Sequence, residues 1–150
     1  MLHYLSVHDI VWINATITGE TLPFDYEKLE AAMAAQYSYG DSTDVAGQAA
    51  NFLASFILKP PFAFGNTRTA FVALATFLNA NGFSLQLGDE EIAQAIQSLA
   101  RGETTAAETI GKLAKPSQMG LRPGVTLRAL VTYICNEHKD VLTRLTEGDE

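Results

Sequence analysis

The chain has 150 residues and a mass of 16.2 kDa, with 47% hydrophobic and 18% charged residues; that is enough for one core and excludes intrinsic disorder. Seventeen acids against ten bases leave a net charge of −7, which excludes a general nucleic-acid binder, because phosphate affinity comes from surplus Lys and Arg. Any anion site has to be local. A single cysteine, Cys135, excludes an internal disulfide framework, and no Cys/His cluster has zinc-ligand spacing. No apolar run approaches the roughly 20 residues needed to span a bilayer, and Met1–Asp9 lacks a basic segment followed by an apolar one. The expectation is a soluble protein in the reducing cytoplasm, with no nucleic-acid or membrane partner.

His8 to Ile17 carries apolar residues at Ile10, Val11, Ile13, Ala15 and Ile17, a spacing that suits helix or strand and is read as mostly helix. Gly19 to Phe24 is a turn, a short flap or a hairpin, punctuated by Gly and Pro. Asp25 looks like an N-cap, followed by Leu29, Ala32, Met33 and Gln36 at helical spacing up to a break at Tyr37–Gly40. Asp44 can cap the next helix, whose stripe is Val45, Ala49, Phe52, Leu53, Phe56 and Ile57. Pro60 and Pro61 stop it, since proline lacks the amide hydrogen and restrains the residue before it.

Thr67 to Asn81 is apolar nearly all round, so a buried central helix is expected there, ended by Asn81-Gly82. A short extended piece follows at Phe83–Leu87. Asp89 is read as the cap of a helix through Leu99, Thr104–Ala114 as another helix stopped by Pro116, and Thr126 to about Leu145 as one last long helix. The sum is an all-α, single-domain bundle around the central helix, with no internal repeats. Trp12, Tyr37, Tyr39 and the phenylalanines read as core or its margin, and Cys135 as a buried, inert thiol.

One segment carries chemistry, Phe62-Ala63-Phe64-Gly65-Asn66-Thr67-Arg68-Thr69. A glycine permits close backbone approach, and the first helical turn offers unpaired amides at its positive end. Arg68 adds a fork suited to phosphate oxygens. Together these describe a phosphate cradle. The same spacing also fits Asn66 as a plain N-cap and Arg68 as a surface side chain.

The stretch resembles the Fic/Doc (Fido) family, whose signature runs His-x-Phe-x-(Asp/Glu)-(Gly/Ala)-Asn-(Gly/Lys)-Arg. Phe62, Gly65, Asn66 and Arg68 match, followed by Thr69-Ala70 and Phe77-Leu78-x-x-Asn81-Gly82. Val7-His8-Asp9 is similar to the family's opening helix. Ala93 to Leu113, with Arg101-Gly102-Glu103 at its middle, is similar to the closing helices of the Doc (death-on-curing) toxins. The resemblance covers roughly residues 7 to 115 and implies a Fido-type helical fold, ATP with magnesium as cofactors, and transfer of phosphate or AMP to a protein hydroxyl. It implies a nucleotide site at Phe62, Gly65, Asn66, Thr67 and Arg68, and an antitoxin-like or target protein as partner.

Two departures matter more than the matches. The family's general-base histidine is Pro60 here, and its magnesium-holding acid is Phe64. Proline cannot accept a proton, and phenylalanine offers no oxygen to a hard cation. Loss of a general base costs about 10²- to 10⁴-fold in rate, and loss of the metal several kcal/mol more. The expectation is therefore an impaired enzyme with no catalytic or metal residue at these positions. Candidate substitutes are His8 and His138 as bases, and Asp9 and Asp25 as metal ligands. Thr67, between Asn66 and Arg68, leans toward a Doc-like pose, because AMP-transferring members resemble each other in having Gly there.

At the tail, Thr143-x-x-x-Glu147-Gly148 is similar to the family's inhibitory (Ser/Thr)-x-x-x-Glu-(Gly/Asn) helix, with Glu147 as the inhibitory glutamate; a frayed acidic terminus is the plainer reading. Three functions stay open: a degenerate Doc/Fic protein with a binding role, an active atypical kinase or AMP transferase with a substitute base, and a helical interaction module without a nucleotide site. The sequence is silent on oligomeric state. It leaves the helix after Lys115 as a cap on the bundle or a dimer contact.

Overall fold

Ser6 and Asp9 start the helical part of the chain. The Asp9 amide donates to the Ser6 hydroxyl at 3.2 Å and the Ser6 amide donates to the Asp9 carboxylate at 2.8 Å. This capping box opens α1 (Val7–Thr18) and settles the ambiguous segment as helix. The computed structural model describes residues 3–36, 44–117 and 124–146.

Asp25 caps α2 (Tyr26–Ala35) through the Lys28 amide, and Asp44 caps α3 (Val45–Leu58) through the Gly47 amide. Next comes α4 (Asn66–Ala80), the expected central helix. Phe71, Leu74 and Leu78 on it are fully buried, and α1, α3 and α7 all pack around it. Burying each such side chain stabilises by about 1.5–3 kcal/mol, so this helix dominates the core. Asn81 caps its end and Gly82 turns the chain at φ +89°.

The second half runs β1 (Phe83–Leu85), α5 (Asp89–Ala100), α6 (Ala106–Leu113), β2 (Ala114–Pro116), α7 (Leu127–Glu137) and α8 (Lys139–Thr146). The two short strands pair antiparallel with Ser84 opposite Lys115. Among the described residues these eight helices and one two-stranded ribbon make an all-α fold.

Several expected boundaries move. The last helix is broken at His138, whose Nδ1 lies 3.0 Å from an Asp89 carboxylate oxygen and whose ring meets the Phe71 ring edge-on at 5.9 Å. Asp89 therefore does not cap α5. It is that helix's first residue, Gly88 holds the cap position, and the carboxylate serves the α7–α8 corner instead. The helix expected over Thr104–Ala114 starts later, with Thr105 as its cap, and Ala114 leaves it to pair with Leu85.

An extended segment, residues 3–6, is bound by side-chain amides. Asn81 accepts from the His3 N–H at 2.6 Å and donates to the His3 carbonyl at 2.8 Å. Gln36, itself buried, does the same to Leu5 at 2.9 Å each way. These pairs satisfy backbone groups that no strand is there to take.

Candidate functional site

The loop between α3 and α4 is fixed from three sides. Pro60 is exposed and Pro61 buried. The Pro61 carbonyl accepts from the Asp25 amide at 2.8 Å, and Phe62 forms an antiparallel bridge with Phe24. The Gly19–Phe24 flap thus finds its extended partner in the motif loop. The Phe62 ring sits 5.7 Å from that of Phe24 and 6.4 Å from that of Phe56.

Asn66 closes the loop on itself. Its Oδ1 accepts from the Phe62 amide at 2.9 Å and its Nδ2 donates to the Phe62 carbonyl at 2.8 Å. Asn66 is therefore not the N-cap that its position in the sequence allows. It is the first residue of α4, and the cap position belongs to Gly65 at φ +76°. A Cβ there would lie 2.6 Å from Thr18 Cγ2 and 3.3 Å from Asn14 Nδ2, so the approach of α1 demands glycine as strongly as the backbone angle does.

Asn14 is the residue the sequence reading missed. It is buried on the apolar face of α1 between Ile10, Ile13 and Ile17. Its Nδ2 donates to the Phe64 carbonyl at 3.2 Å and lies 3.1 Å from the buried Thr69 hydroxyl. A lone polar residue on that face was the available signal, since a buried amide has to be bonded.

The first turn of α4 has no side-chain cap bond at Gly65 and no acidic residue of its own. Thr67 and Arg68 are half-buried in that turn, and Arg68 Nη2 lies 3.6 Å from the ideal Cβ position at Gly65. The guanidinium thus folds back over the helix start. Phe62, Gly65, Asn66, Thr67 and Arg68 come together in one loop and turn, whereas Glu147 lies outside the described residues.

The substituted positions are equally plain. Phe64 is half-buried and packs against the core, so an aromatic ring fills the place where the family carries an acid. Among the described residues no group of three or more His, Cys, Asp or Glu is placed to hold a metal ion. A divalent cation finds no oxygen donor in the Phe64 side chain. Asp9 and Asp25 are engaged as helix caps. His8 is exposed in the first turn of α1. His138 is engaged by Asp89.

Cys135 on α7 is half-buried, and burial pushes its thiol above the ordinary cysteine value, in keeping with an unreactive group. No helix among the described residues is long and apolar enough to cross a membrane.

The model of the Fic/DOC family matches residues 4–78, from the N-terminal strap through α1, the flap, the motif loop and nearly all of α4. No curated protein and no solved structure matches the chain. With half of its length under the family model and the motif loop at the head of its buried helix, the chain belongs to the Fic/DOC family.

Proposed function

We propose that this chain is a Doc-like member of the family that binds the phosphates of ATP at the head of α4 and no longer transfers phosphate or AMP. The observation that carries the reading is the uncapped, acid-free first turn of α4 with the Arg68 guanidinium folded over Gly65. Backbone amides at residues 65–67 would meet phosphate oxygens, and Arg68 would clamp them by charge. Pro60 and Phe64 support the loss of turnover, because the first removes the proton acceptor and the second the metal ligand. What remains is a binding role in the cytoplasm, toward an antitoxin-like protein or a former target.

Thermal unfolding with ATP, with and without magnesium, on wild type and Arg68→Ala tests this. A ligand at about 100 times its Kd stabilises by roughly 2.7 kcal/mol, which raises the midpoint by about 5–10 °C in a chain of this size. The expected shift is the same without magnesium and vanishes in Arg68→Ala. No shift in wild type rejects the nucleotide site, and label transfer from ATP to a protein rejects the loss of turnover. The double variant Pro60→His with Phe64→Asp is expected to gain transfer, because it restores both missing groups at once.

A further inference from the structure

The two-stranded ribbon at the far end of α4 has two outer edges, and they are not alike. Its ladder is fixed by the Ser117 amide donating to the Gly82 carbonyl at 2.7 Å and the Gln86 amide donating to the Leu113 carbonyl at 3.0 Å. Hydrogen-bonded pairs alternate along an antiparallel ladder, so Ser84 and Lys115, midway between those two pairs, exchange the next bonds. Phe83 and Leu85 therefore aim their amides and carbonyls away from β2, as Ala114 and Pro116 aim theirs away from β1. On β2 that outer edge offers no amide: the Ala114 N–H is spent on the Ile110 carbonyl, and proline has none. Lys115 and Pro116 are also the residue types that blunt an edge. On β1 nothing blunts it. Among the described residues, no partner meets the outward amide or carbonyl of Phe83 or Leu85.

A cavity of about 160 Å³ runs along this open edge. Phe83, Ser84 and Leu85 all line it, and no residue of β2 does. Consecutive strand residues point to opposite faces, and Phe83 and Leu85 pack on the core. A space touched by all three therefore follows the strand's free edge rather than one of its faces. Leu78 on α4 and Ile134 on α7 form the floor, and Tyr133, 56% exposed, stands at the rim. The volume is below the roughly 300–1,000 Å³ of small-molecule pockets and suits an aliphatic side chain. Glu137 also borders it, with no Lys or Arg beside it.

We propose that β1 receives an extended segment of another protein as a third strand, with an apolar side chain in the cavity and a basic one beside Glu137. Unpaired edge groups supply the affinity in this mode and the flanking pocket the selectivity. Charge chooses the occupant: a second copy would bring another net −7 to an edge bordered by a carboxylate, whereas a basic segment is attracted to it. The site lies at the opposite end of α4 from the motif loop, about 22 Å away along fifteen residues, and outside residues 4–78. It does not depend on the nucleotide reading.

The probe is the blocked pentapeptide acetyl-Lys-Val-Thr-Val-Lys-amide, whose valines can lie opposite Phe83 and Leu85. The control is the same peptide N-methylated at both valines. Amide exchange and chemical shifts are read residue by residue by NMR on the full chain. In the free protein the Phe83 and Leu85 amides are expected to exchange faster than those of Gln86 and Ser117, which are held in the ladder. The peptide is expected to bind at about 0.1–1 mM, as a few backbone bonds and one small cavity allow. It should slow exchange at Phe83 and Leu85 several-fold and leave the motif loop unmoved. N-methylation should weaken binding about tenfold or more. Glu137→Lys, at an exposed position, should weaken it several-fold in low salt and less in high salt. Equal binding of the N-methylated peptide, unchanged exchange at Phe83 and Leu85, or no binding at several millimolar overturns the proposal. So does a dimer in sedimentation that protects these two amides without peptide, because a second copy would then hold the edge.

Discussion

Two helices of this chain begin on a glycine without a side-chain cap, α4 at Gly65 and α5 at Gly88, and they resolve the same problem in opposite ways. The first turn of α5 holds Asp89, Glu90 and Glu91, carboxylates that neutralise its amide end from within the helix. The first turn of α4 holds none and carries Arg68 instead. Gly88 sits in ordinary extended backbone at φ −70°, whereas Gly65 is left-handed at φ +76° and pressed against α1. A self-neutralised helix start is a stability device. The start of α4 is instead fixed by shape, with Gly65 closed to any larger residue by the approach of α1.

The glycines give the sharpest break between the two. Gly65→Ala forces a Cβ to 2.6 Å from Thr18 and holds a side chain at positive φ. The expected loss is about 2–5 kcal/mol, read as a fall of order 10 °C in the unfolding midpoint. Gly88→Ala meets nothing closer than Glu91 Oε1 at 3.9 Å and should stay within about 0.5 kcal/mol of wild type. Equal effects at the two sites would erase the contrast.

Asn66→Ala comes next. It strips both bonds from the Phe62 backbone and should cost about 1–3 kcal/mol by denaturant unfolding. A cost of a few tenths would mean that water replaces the clamp. The smallest effect is on α5, where Glu90→Gln removes one carboxylate from the first turn. It should cost about 0.3–1 kcal/mol in low salt and nothing resolvable in high salt. A loss that persists in high salt would take the dipole out of the account.

What the sequence revealed was local in origin. Asp25, Asp44 and Thr126 cap the helices that follow them because a cap bonds an amide only three residues away. The buried α4 was legible from composition alone, and the Phe62–Arg68 segment from its glycine, amide and arginine in order. The misreadings share a cause, which is a long-range partner. Asn66 and Asp89 have cap-forming side chains, but one is drawn to the backbone of Phe62 and the other to His138 across the fold. The corner at His138 has no Gly or Pro to announce it. Asn14 stands 52 positions before Asn66, on another helix, so no motif spacing could have joined it to the loop.

The amide pair between Asn81 and the N-terminal strap also sets a chemical clock. Asn81 precedes Gly82, and its Nδ2 donates to the carbonyls of both His3 and Phe77, each at 2.8 Å. Deamidation at this Asn-Gly step would replace that donor with a carboxylate facing two carbonyl oxygens, a repulsive arrangement in place of two bonds. Aged protein should therefore loosen at His3 while Gln36 still holds Leu5, and the gain of one negative charge would mark the molecules in which this has happened.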